Sequence, residues 1–178
     1  MSDQVSDLVR LFNGLFLEPC RTELVGGADE PVYLPTDRLN QYHRIVFKRN
    51  YISSALHEIA HWCIAGDERR TKVDYGYWYE PDGRSAAQQA LFERVEYEPQ
   101  ALEWVFSMAA GIKFNISADN LTGSLADNHA FKQNVLNAVK LRLDGRLSDR
   151  MTCFIDALIE RYRPGLTLVF DMFSLDDL

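Results

Sequence analysis

Residues 53–66, SSALHEIAHWCIAG, constrain this chain more than any other stretch. Ser53 or Ser54 can cap a helix, Ala55, Leu56, Ile59, Ala60 and Ile64 give it an apolar body, and Gly66 suits its end. His57 and His61 stand inside it, four residues apart. An α-helix advances about 100° per residue, so the two imidazoles lie about 40° apart around the axis and roughly 6 Å apart along it. They face the same way and can converge on one ion through bonds of about 2.0 to 2.1 Å. The HExxH spacing therefore predicts a helix and a divalent metal site in one segment. The competing reading is a pair of partly buried histidines satisfied by hydrogen bonds.

Two histidines hold a metal poorly, so a third ligand must come from elsewhere. In the later helical stretch FERVEYEPQALEW, Glu93, Glu96 and Gln100 share one face, with Glu96 at its centre. Leu91, Phe92 and Val95 on the other face should pack on the core and bring the helix edge near its neighbours. Glu96 is the first candidate, with Glu93 and then Glu98 behind it, and a solvated acidic stripe is the alternative. His43 and His129 have no partner at ligand spacing and read as surface or capping residues. Nothing near Cys63 in sequence would lower its pKa, so it reads as a small buried residue.

The rest of the chain supports a single α+β domain over residues 1–178, mainly helical, with a small β-sheet packed near the HExxH helix. Leu8, Leu11, Phe12, Leu15 and Phe16 mark an amphipathic helix to about Leu17. VYL at 32–34 and IVF at 45–47 read as strands between turn formers that include Gly26 and Gly27. The segment 85–111 is helical on both sides of Pro99, which either kinks the helix or starts a second one. Further helices are expected at about 128–144 and 148–162. Residues 73–83, rich in aromatics, Gly, Pro and Asp, read as an ordered loop that can wall the site. Trp62, Tyr75, Tyr77, Trp78 and Tyr79 read first as packing residues.

Composition excludes several functions. No stretch approaches the roughly 20 apolar residues of a membrane span. A net charge of −7 argues against a general affinity for nucleic acid. Cys20, Cys63 and Cys153 show no CxxC spacing, and the N-terminus lacks a secretory pattern, so reduced thiols and a cytoplasmic location are expected.

With DEPVYLP, RIVF, SALHEIAHWCIAG, VDYGYWYEPDGR, FERVEYEPQALEW and FNISADNL in this order, the chain resembles the elongation factor P hydroxylase family over about residues 8–160. The patterns around SALHEIAHWC and PQALEW are more specific than a bare HExxH. The resemblance implies an oxidoreductase that hydroxylates the β-lysylated lysine of translation elongation factor P. It implies a 2-His-1-carboxylate set of His57, His61 and Glu96, with Fe(II) and molecular oxygen, since oxygen insertion needs a redox-active metal with open positions. No basic pattern assures a 2-oxoglutarate site, so the electron donor stays open. Glu58 would then tune the ligands or assist proton transfer, whereas in a zinc peptidase, the main alternative, it would be the general base. A third possibility is a non-catalytic module with a structural metal. Acidic residues and the aromatic loop would guide in the cationic substrate, and Arg69, Arg70 and Arg84 are candidate contacts with the factor, solvated surface charge being the competing reading.

Overall fold

The computed structural model describes residues 3–75, 86–117 and 125–178. Among the described residues, five helices and three strands run in the order α1 (Asp3–Phe16), β1 (Thr22–Ala28), β2 (Val32–Leu34), β3 (His43–Lys48), α2 (Ile52–Ile64), α3 (Ala86–Ala110), α4 (Leu125–Leu143) and α5 (Asp149–Tyr162). Single 3-10 turns occur at Arg69–Thr71, Phe170–Met172 and Leu175–Asp177. The α+β expectation holds, and the sheet does pack beside the HExxH helix: α2 contacts β2 and β3.

Strand order is β1-β3-β2, with β1 parallel and β2 antiparallel to β3. β1 is a strand that the turn formers hid. Gly26 and Gly27 lie within it, at a register shift between Val25 and Ala28. A Cβ on Gly26 would stand 2.6 Å from the Phe47 ring, and Gly27 has φ +99°, so a bulge absorbs one residue while the strand continues.

α1 buries Val5, Leu8, Phe12 and Phe16 along one stripe. Phe12 and Phe16 meet Trp62 of α2 at centroid distances of 5.3 and 5.1 Å, and Phe154 of α5 packs on Phe106 of α3 at 4.9 Å. Each large apolar side chain so buried contributes about 1.5 to 3 kcal/mol. This junction clamps the Trp62 face of α2 and leaves the histidine face for chemistry.

α3 packs against α2, α4 and α5, and residues 99–107 are buried without a break. The helix is continuous through Pro99, so neither a second helix nor a helix start occurs there. Leu91 and Val95, expected in the core, are 50% and 41% exposed. The face turned inward instead carries a polar stripe: Glu96, Gln100, Glu103 and Ser107, spaced four, three and four. Gln100 occupies its amide on the backbone of Ser117, donating to the carbonyl at 2.8 Å and accepting from the N–H at 3.0 Å. Buried residues from Val5 to Phe173 join one hydrophobic cluster.

Candidate metal centre

α2 starts earlier than its serines suggested. Tyr51 precedes the first turn, Ser54 Oγ accepts from the Lys48 N–H at 3.0 Å, and the helix ends at Ile64, with Ala65 rather than Gly66 as its C-cap. His57 and His61 still share a face, which meets the polar stripe of α3.

The three predicted ligands come together. His57 Nε2 and His61 Nε2 are 3.0 Å apart, and the Glu96 carboxylate reaches them at 3.5 and 3.4 Å. One donor atom from each lies within 4.8 Å of the others. Ligand atoms bonded at about 2.1 Å to a common ion stand about 3.0 Å apart at octahedral right angles and about 3.4 Å apart at tetrahedral angles. The donor set therefore fits a divalent ion, and its spacing accommodates either geometry.

Glu103, which sequence reasoning missed, completes the cluster. Its Oε2 lies 2.8 Å from His57 Nδ1, a contact that places the proton on Nδ1 and leaves the Nε2 lone pair for an ion. The signal was available: Glu103 continues the spacing from Glu96 and Gln100. A buried unpaired carboxylate costs several kcal/mol, so Glu96 at 4% and Glu103 at 7% exposure require cationic or hydrogen-bonding partners. Burial opposes charge on His57, yet Glu103, Glu96 and Glu58 together push it up to about 10. Burial likewise opposes charge on Glu96, but the hydrogen bond and charge of His61 and the charge of His57 hold its carboxyl below the usual range. The cluster demands positive charge, which a proton or a metal can supply.

Glu58 points into a different part of the site. It lines a small cleft with His61, Ile45, Trp62 and Tyr33, and burial raises its carboxyl above the usual range. Glu58 is outside the three-ligand set. Of the alternative ligands, Glu98 pairs with Arg142, and neither Glu98 nor Glu93 joins the set.

The remaining candidates resolve simply. His43 Nδ1 accepts from the Thr36 N–H at 3.1 Å while its ring stacks on Tyr33. His129 is exposed within α4. Cys63 is buried, and burial pushes its thiol up to about 12, as an inert residue requires. Arg69 pairs with Asp74, and Arg70 pairs with Asp67 and donates to the Ala65 carbonyl. Both arginines already have partners within the chain. Trp62 is packed in the core and Tyr75 is 68% exposed. Tyr77, Trp78, Tyr79 and Arg84, and with them most of the expected aromatic wall, lie outside the described residues.

A family model described as elongation factor P hydroxylase matches residues 11–173. A relative from Haemophilus influenzae, named elongation factor P lysine hydroxylase, is 48% identical over 162 residues, which cover 91% of each chain. Neither comparison lends support to a peptidase.

Proposed function

The chain belongs to the elongation factor P hydroxylase family, and from that membership we propose that it hydroxylates the β-lysylated lysine of elongation factor P with a metal held by His57, His61 and Glu96. The observation that carries this reading is the convergence of three donor atoms within 4.8 Å on a chain of this family. Fe(II) suits the reaction better than zinc, because three ligands on one side of an octahedral ion leave three positions open and tetrahedral zinc leaves one. Bound there, iron would supply the redox chemistry that places one atom of molecular oxygen into a carbon–hydrogen bond, with electrons from a separate reductant.

The protein's own residues prepare the site. Glu103 holds the His57 ring by its Nδ1–H and so aims Nε2 at the ion. Glu96 balances charge at the Nε2 atoms of both rings. Glu58, beside His61 in the cleft, keeps its proton to a higher pH than an exposed carboxyl and in this reading would assist proton transfer. Ile45, Trp62 and Ala65 give the cleft apolar walls that limit water. The net charge of −7 favours approach of a cationic side chain. Residues 1–178 act as one catalytic domain in this reading. The free cysteines Cys20, Cys63 and Cys153 fit a reducing cytoplasm, and no helix among the described residues is long and apolar enough to cross a membrane.

The test is to incubate iron-loaded protein and a reductant with β-lysylated elongation factor P under air. The factor should gain the mass of one oxygen atom, and Glu96→Ala should abolish the gain. Cleavage of casein without any mass gain on the factor would sink the hydroxylase reading in favour of a zinc peptidase.

A further inference from the structure

Behind the wall of the metal cleft lies a second pocket, of about 240 Å³, whose lining includes Thr22, Tyr33, His43, Trp62, Arg70 and Arg150. It brings together the starts of β1 and β3, the end of α2 and the first turn of α5. We propose that this pocket binds a small ligand through an oxyanion group, a carboxylate or a phosphate, gripped by Arg150 with Arg70 and His43.

Arg150 is the anomaly that points there. Its guanidinium lies over the Trp62 ring at 4.7 Å, and no N–H of it meets an acceptor among the described residues. The side chain is half-buried, so the missing acceptor is not simply replaced by bulk water on every side. Nor are acceptors scarce, because the chain carries 26 Asp and Glu against 19 Lys and Arg. Instead, the pocket adds a second guanidinium. Burial, and then the charge of Arg70, hold Arg150 below its usual range. The Asp67 carboxylate that pairs with Arg70 has a fully exposed side chain, so it neutralises the pocket little.

His43 adds a directed donor. Its Nδ1 accepts from the Thr36 N–H, so the neutral ring carries its proton on Nε2. Burial, with Arg21 and Arg70, keeps the ring neutral by lowering its pKa. The pocket thus offers the planar fork of Arg150, the charge of Arg70 and one imidazole N–H, a set that matches the oxygens of a carboxylate or phosphate. Its volume suits a small metabolite and not a protein segment. Tyr33, Trp62 and Arg70 also line the cleft that holds Glu58 and His61, so an occupant would sit one wall from the metal centre.

The test is a binding measurement and stands independently of the hydroxylase reading. Metal-loaded protein is titrated by calorimetry with inorganic phosphate and, separately, with succinate, with sodium chloride holding the ionic strength constant. Saturable binding of at least one anion is expected, weakened about tenfold or more by Arg150→Gln. Arg150→Lys, which keeps the charge but loses the fork, should fall between. Tighter phosphate binding assigns the group as a phosphate, and tighter succinate binding assigns it as a carboxylate. His43→Phe keeps the stack on Tyr33, removes the Nε2–H, and should weaken binding about fivefold, so it serves if Arg150→Gln does not fold. Absence of saturable binding by both anions, or wild-type affinity in the folded variants, would overturn the proposal.

Discussion

Two carboxylates, one towards either end of the polar stripe on α3, both reach His57, from opposite sides of its ring. At the first end Glu96 faces the Nε2 atoms of His57 and His61, and its helix neighbours Leu91 and Val95 are half-exposed. At the second end Glu103 takes Nδ1 at 2.8 Å, and its neighbours Ala101, Leu102, Trp104 and Val105 are all buried. One residue type on one helix face thus has two environments. Both carboxylates are buried, at 4% and 7% exposure, so the atom each one meets separates them: beside the Nε2 atoms Glu96 can serve an ion, while on Nδ1 Glu103 orients the ring that does.

Glu96→Ala should break this contrast most completely: iron measured by elemental analysis should fall to near zero and hydroxylation should vanish, while Glu103→Ala retains a weakened site. Equal iron content in the two variants would remove the distinction. Glu58→Gln is the control carboxylate outside the ligand set. It should keep full iron content while the single-turnover hydroxylation rate falls about a hundredfold or more, and a loss of iron instead would make Glu58 a ligand.

Glu103→Gln should keep the hydrogen bond to His57 but lose the charge, lowering metal affinity about 10- to 100-fold in a competition titration with a chelator. A pH series sharpens the point. Metal-free His57 is pushed up to about 10, so at lower pH the metal must displace its proton, and affinity should rise about tenfold per pH unit towards that value. In Glu103→Gln the rise should level off nearer the ordinary histidine value of 6.5. An unchanged profile would show that Glu103 does not set the charge of the ring.

The smallest effect belongs to an ion pair away from the stripe. Hydrogen bonds from Arg161, the largest cause, help lower Asp7 to about 2 from 3.8. The folded value is depressed, so the contribution is present above about pH 4 and lost as pH falls towards 2. Arg161 is 57% exposed and screened by solvent, so Arg161→Ala should shift the urea midpoint at pH 7 only slightly. Metal content should not change. A change would mean that the α1–α5 contact supports the site.

Local periodicity made α1, α2, β2 and β3 legible, because the side chains that define each element are near neighbours in sequence. The same periodicity showed that His57 and His61 share a face and that Glu96 is central to a face it shares with Glu93 and Gln100. β1 was hidden because Gly26 and Gly27 carry the composition of a turn, and only the Phe47 ring explains why a strand needs a missing side chain there. The resemblance to a family added the chemistry that HExxH alone would have assigned to hydrolysis.

By itself, then, the sequence determined which side chains stand together on each helix and that two histidines form half of a metal site. Tertiary structure decided which face of α3 turns inward: the stripe of Glu96, Gln100, Glu103 and Ser107, with Leu91 and Val95 left half-exposed. It also decided that Glu103 orients His57 and that Arg150 meets no acceptor among the described residues. The physical reason is one of range. Helical geometry acts over three or four residues, whereas the pairing of a buried carboxylate with an imidazole depends on the packing of helices far apart in the chain.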